Sequence, residues 1–223
     1  MKAHLILEYA QGFKEYLKHC KEHPFTFYFE VLNNWKENWN IEGKPLSEIY
    51  NQSLQSSITA RLWGGSVNSP KSAMIQLMNE QEEFIRSTFR DLFNENLDLG
   101  LRLDRFGFHC DQILTMLHAK NVNLPDHFHH DRNILCLYLG LEYPELYCLF
   151  EYDKFQSMMQ RIGSVNIPQK VEIERYFKSC KGIHKLIQKD DELVTFLNQH
   201  THNNADKLWT MNLFMDYVSA CKN

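Results

Sequence analysis

Apolar side chains recur every third or fourth residue through most of this chain, and little in it interrupts helices built on that pattern. Residues 169–189 show the pattern most plainly. Ile173, Tyr176 with Phe177, Cys180, Ile183 with His184, and Ile187 fall on one face at a period of about 3.6 residues. A sheet protein of this size needs many glycine and proline turns, whereas only nine glycines and six prolines occur in 223 residues. The expectation is a mainly α, compact multi-helix domain. Apolar residues at 43% and charged ones at 23% supply both a core and a solvated surface, which excludes wholesale disorder.

Helices are expected over residues 5–22, over 26–40 with Val31, Trp35 and Trp39 on one face, and from Pro45 through Leu46, Ile49, Tyr50, Leu54 and Ile58. Gly64-Gly65 marks a turn, and Ser69-Pro70 reads as the N-cap and first-turn proline of a helix reaching Met78. Asn79 and Glu82 have the spacing of a cap and its third residue, which starts a helix carrying Ile85, Phe89 and Leu92. Leu97, Leu99, Leu101 and Leu103 alternate like a strand. Their continuation through Phe106, Cys110, Ile113 and Leu117 is helical, so one helix is expected over about 98–118.

Residues 119–130 are polar, contain Pro125 and read as a surface loop. Asp131 caps a helix to Glu142, which Pro144 stops. Residues 146–152, short and aromatic, form the expected minor β element. Asp153 with Gln156 opens another helix ended by Gly163, and segments 191–200 and 207–221 complete the chain. No repeat or linker divides it. A single domain over 1–223 is expected, with 119–130 the place where a sub-domain break would fall.

The net charge of −4 gives no global attraction to nucleic acid. No apolar run is long enough for a signal peptide or a membrane span, and the six cysteines are scattered without a CxxC pair. These features predict a cytoplasmic protein with reduced thiols and no membrane partner. Neither GxxxxGK[ST] nor GxSxG occurs, so no P-loop or nucleophile elbow is expected, and no cofactor is assigned to the chain.

The sharpest local feature is His127-Phe128-His129-His130-Asp131. His127, His129 and Asp131 carry donor atoms that zinc accepts, but their spacing matches no recognised ligand set. The plainer reading, a polar loop running into an Asp131 N-cap, is preferred, and a metal-dependent hydrolase stands as a remote alternative. Arg86 and Arg90 share a helix face, near Arg102 and Arg105, and either meet phosphate or pair with Glu82, Glu83, Asp91 and Asp98. Tyr143, Tyr147, Phe150 and Tyr152 either enclose a base or pack the core. The candidate contacts to DNA or to a partner protein are Arg86, Arg90, His129, His130, Arg132, Tyr147 and Tyr152.

Several stretches carry a resemblance when taken in order. They are Trp35-Lys36-Glu37-Asn38-Trp39-Asn40-Ile41, Glu83 through Glu95, Asp98-Leu99 with Arg102-Leu103-Asp104-Arg105-Phe106, His129-His130-Asp131-Arg132, Leu137-Tyr138-Leu139, and Tyr143-Pro144-Glu145-Leu146-Tyr147. Together they resemble the region preceding the motor domain in McrB-like AAA+ ATPases of type IV restriction and anti-phage loci. The resemblance spans about residues 30–160 and extends to Leu208-Trp209-Thr210-Met211-Asn212-Leu213-Phe214. It departs where the family tends to have Tyr-Lys, since Phe150 is followed here by Glu151. It implies a non-enzymatic recognition domain that senses DNA, with or without a modified base. The partners it implies are an AAA+ motor in cis or in trans and a nuclease subunit. The alternative it leaves is a protein-interaction module that docks the ATPase to a nuclease or senses a phage protein.

Overall fold

The computed structural model describes residues 2–20, 26–55, 69–168 and 170–221. Among them run eleven helices: α1 (Ala3–His19), α2 (Thr26–Asn38), α3 (Leu46–Ser53), α4 (Pro70–Glu80), α5 (Glu82–Leu92), α6 (Leu99–Ala119), α7 (Arg132–Glu142), α8 (Tyr152–Arg161), α9 (Ile173–Ile187), α10 (Asp191–His200) and α11 (Thr210–Ala220). The protein is mainly α. The expected turn at Gly64-Gly65 lies outside the described residues.

The helices gather into two compact units, Glu30–Glu142 and Met1–Phe29 with Tyr143–Asn223. The chain passes from one to the other inside α2 and again directly after α7. The loop at 119–130 therefore lies within one unit and divides nothing. A boundary inside a continuous helix carries no glycine, proline or change of composition, which is why the sequence does not mark it.

In the 30–142 unit the caps follow the sequence closely. Ser69 Oγ accepts from Ser72 N at 3.2 Å, Ser72 Oγ accepts from Ser69 N at 3.0 Å, and Pro70 opens α4. Asp98 Oδ1 accepts from Leu101 N at 2.9 Å and so starts α6, which settles the Leu97–Leu103 alternation as helix. Asn79, expected to cap the next helix, lies inside α4. Gln81 breaks the helix instead, at φ −142° and ψ 62°.

The core of this unit is aromatic. Trp35 and Trp39 stack at 4.4 Å, and Phe89 is ringed by Trp39, Phe106 and Tyr138 at 5.5, 5.0 and 5.3 Å. Two arginines are buried with it, each 2% exposed. Arg86 donates to Ile41 O, to Gly43 O at 3.0 Å and to Glu82 Oε1 at 2.7 Å, which ties residues 41–43 to α5. Arg102 donates to Leu92 O at 2.9 Å, a carbonyl of the last turn of α5, and to Glu95 at 2.5 Å.

In the other unit, Lys14 on α1 pairs with Asp190 and Glu192 at 2.9 and 3.1 Å, at the start of α10. Gly163 takes φ 66° just past α8, in the left-handed cap that its sequence position predicts. The expected β element is absent: no strand occurs among the described residues, and 147–150 has no regular secondary structure. Asn212 on α11 stands in for that strand. Its Oδ1 accepts from Leu149 N at 3.1 Å and its Nδ2 donates to Leu149 O at 3.0 Å. The Tyr176 hydroxyl also donates to Leu149 O, at 2.6 Å. Backbone groups that a ladder would satisfy are thus satisfied by two side chains.

Asn212 is 1% exposed, and its Nδ2 also donates to Glu151 Oε2 at 2.7 Å. Asn212→Ala is expected to cost about 1–3 kcal/mol in urea unfolding, because the part-buried Leu149 amide loses its acceptor. Asn212→Asp should cost more at neutral pH, since it sets a carboxylate against Leu149 O and Glu151. A loss under about 0.5 kcal/mol for the alanine variant, the range of an ordinary surface substitution, would show that the bidentate contact is dispensable.

Candidate functional site

The histidine-rich loop lies against α6 in the 30–142 unit. Asn121, at φ 59°, ends α6, and Phe128, at φ 66°, turns the chain so that His127 and His129 both point inward. Asp126 Oδ1 accepts from Phe128 N at 2.8 Å and supports that turn. Gly107 admits the loop: a Cβ there would sit 3.0 Å from His130 Nδ1 and 3.3 Å from His129 O. Asp131 serves the first turn of α7, its Oδ1 accepting from Asn133 N at 2.9 Å.

Two sets of side chains converge here. Asp111 Oδ1 lies 2.9 Å from His127 Nε2 and 3.0 Å from His130 Nε2. Burial works against charging Asp111, but the bonds from the two imidazoles prevail and hold its carboxyl below the usual value. Deeper in, His129 Nε2 lies 2.9 Å from the Tyr138 hydroxyl, which is 2.7 Å from the Tyr50 hydroxyl, and all three residues are fully buried. Burial and the neighbouring His127 pull His129 down to about 3, so it stays neutral. Burial likewise pushes the Tyr50 and Tyr138 hydroxyls and the Cys110 thiol up. His129 Nδ1 has no hydrogen-bond partner. If Tyr50 donates to Tyr138 and Tyr138 to His129 Nε2, a single buried N–H is left over. The reverse orientation leaves two groups unpaired, so the first is favoured.

The donor atoms suit a cation by proximity alone. Those of Cys110, His127 and His129 lie within 4.8 Å of one another, as do those of Asp111, His127 and His130. His127 belongs to both sets and decides the matter. Its Nδ1 accepts the His129 backbone N–H at 2.9 Å, so its proton sits on Nε2 and points to Asp111. Ligation through Nε2 would move that proton to Nδ1, against the amide. The set therefore does not fit a metal ion, and Asp131 belongs to neither group.

A cleft of about 360 Å³ opens beside this cluster, lined by Leu103, Asp104, His129, His130, Arg132 and Leu135. Arg132 donates to Asp104 at 3.2 Å within it. Of the residues expected to contact DNA or a partner, His130 and Arg132 thus come together, both already engaged by carboxylates. Arg90 is exposed and paired with Glu42 at 2.5 Å. Three expectations are corrected by burial. Arg86 is consumed by the 41–43 backbone, His129 lies in the core, and Tyr147, 4% exposed, packs edge-on against Phe177 at 4.9 Å.

Tyr147 and Tyr152 lie in the other unit, and both support α9. Lys181 Nζ sits 5.4 Å from the Tyr147 ring centre, and the Tyr152 hydroxyl donates to Lys170 O at 2.5 Å and accepts from Glu172 N at 3.4 Å. The outer side of α9 is basic. Lys178 and Lys185 are exposed at i and i+7, Lys189 is exposed in the turn just past the helix end at Ile187, Lys181 flanks them, and none of the four meets a carboxylate among the described residues. Gly182 stands in the middle of this row, where a side chain would find nothing within 4 Å. Glu174 lies in the first turn of the helix, and of the acids that follow Lys189, Asp190 and Glu192 are engaged by Lys14 and Lys18. The row was legible as the complement of the apolar face of residues 173–187. Asp111 was harder to find, because its only signal is that it follows the buried-face residue Cys110. No family model matches this chain, and no characterised protein or solved structure is significantly similar to it.

Proposed function

We propose that this chain is the DNA-sensing, non-catalytic recognition domain of a McrB-like AAA+ defence ATPase, acting with a motor in cis or in trans and with a nuclease subunit. The order of motifs from Trp35 to Tyr147 supports the ATPase association. The lysine row of α9 carries the DNA part. From Lys178 to Lys185 it extends about 10 Å along the helix, a length over which duplex DNA presents about six phosphates, and Lys189 follows in the turn beyond. Lysines without carboxylate partners make such a face productive, since counterions are released only where the protein charge is not already neutralised. The open backbone at Gly182 allows a sugar-phosphate chain to approach the helix closely.

Fluorescence anisotropy with plain, methylated and hydroxymethylated duplexes and with single strands tests this reading. Four phosphate contacts predict a log–log salt slope of about −3 to −4, a loss of about a hundredfold between about 50 and 200 mM salt. The pair Lys185→Glu and Lys189→Glu should lower the slope by about two and the affinity at least about tenfold. Binding weaker than about 100 µM at low salt, or binding indifferent to the two substitutions, would overturn the proposal.

A further inference from the structure

A separate surface lies in the 30–142 unit, on the outer face of α6. Leu101, Phe108 and Met116 are 42%, 58% and 39% exposed there, and with Arg105 and Gln112 they follow i, i+4, i+7, i+11 and i+15. The stripe is about 22 Å long. Phe84 of α5 widens it, packed edge-on against His109 at 5.1 Å and itself 37% exposed. An exposed apolar row at helical spacing is the form of an anchor set for a second helix.

Charge says what that helix carries. Among the described residues of this unit, Arg86 pairs with Glu82 and Glu83, Arg90 with Glu42, Arg102 with Glu95 and Arg132 with Asp104. Arg105 alone among the arginines has no acidic partner there, and it stands between Leu101 and Phe108 on the exposed stripe. The neighbouring acids on α6 are occupied, Asp104 by Arg132 and Asp111 by His127 and His130. An arginine beside an aromatic anchor, with no carboxylate of its own, is complementary to an acidic group delivered by a partner.

We propose that the α6 face docks an amphipathic helix of another protein, one that sets a Glu or Asp against Arg105 between apolar residues seated on Leu101, Phe108 and Met116. This surface is independent of the lysine row on α9, and it adds a protein partner to a domain that the row assigns to DNA.

The test places a photo-reactive benzoylphenylalanine at Gln112 of the full chain in its native cell, with the same probe at Lys178 as a comparison, and sequences the cross-linked peptides. The expected product from position 112 is a segment of a different protein with apolar residues at helical spacing and a carboxylate among them. Arg105→Glu should lower its yield at least tenfold without changing the melting temperature, and reversing the partner's carboxylate to Lys should restore it. Cross-links to a second copy of this chain, to nucleic acid or to a segment without that pattern would overturn the proposal, as would a yield indifferent to Arg105→Glu. Protein captured only from position 178 would also overturn it. The DNA reading is decided separately by the salt titration.

Discussion

Arg86→Met is expected to destabilise the protein by about 3–5 kcal/mol in urea unfolding, the largest effect of any single substitution proposed for this chain. The methionine keeps most of the buried volume, so the loss comes from the partners left behind. Ile41 O and Gly43 O lose their donor, and Glu82 keeps a half-buried carboxylate with no guanidinium beside it. Glu82 Oε2 also accepts from Leu46 N at 3.2 Å, so the disturbance reaches the first turn of α3. Arg86→Lys should recover little, because one ammonium cannot reproduce a planar fork that reaches two carbonyls and a carboxylate. Pairing Arg86→Met with Glu82→Leu should give a smaller loss than the two single changes added together, by at least about 0.5 kcal/mol. A single-variant cost below about 1 kcal/mol would mean that residues 41–43 hold their conformation without the arginine.

The second large effect is on acid stability. Burial lowers His129 from 6.5 to about 3 in the folded protein, so between those values the unfolded chain takes up a proton that the folded one refuses. The stabilisation is therefore complete above pH 6.5 and is lost as the pH falls toward 3, at about 1.4 kcal/mol per pH unit. His184, lowered chiefly by burial, adds a loss of the same sign. Asp111 and Asp190, held below the usual carboxylate value, add theirs only in more acid solution. His129→Gln keeps an acceptor for the Tyr138 hydroxyl and removes the titration. Relative to the parent protein, it should gain about 2 kcal/mol on going from pH 8 to pH 5. Parallel stability curves for the two proteins over that range would show that His129 is not the group responsible.

Much of this fold was legible because local rules and tertiary packing agree. Ser69-Pro70, Asp98 and Asp131 begin helices where capping chemistry places them, and the apolar period of residues 173–187 marks a buried face. The β element failed for an instructive reason. The aromatic run at 147–150 pairs with no strand, because the Leu149 backbone is satisfied by Asn212 and Tyr176, tens of residues away, and no local pattern announces that substitution for a strand. The candidate contacts divided in the same way. Sequence shows that Arg86 and His129 can bind something, whereas burial shows that what they bind is the protein itself. The lysines of α9 were passed over because the same helix was read for its apolar side.

The division of the chain inside α2 also bears on synthesis. The unit Glu30–Glu142 is continuous, whereas the other joins Met1–Phe29 to Tyr143–Asn223. Residues emerge from a ribosome in order, at about 5–20 per second. The first helix therefore leaves the exit tunnel long before the segments it packs against exist. It waits on the order of ten seconds while the intervening unit is made, its apolar face bearing Ile6, Phe13 and Leu17 uncovered. In a nascent chain of this architecture α1 stays unpacked until Tyr143–Asn223 follows, and the continuous middle half, Glu30–Glu142, is the part able to fold first.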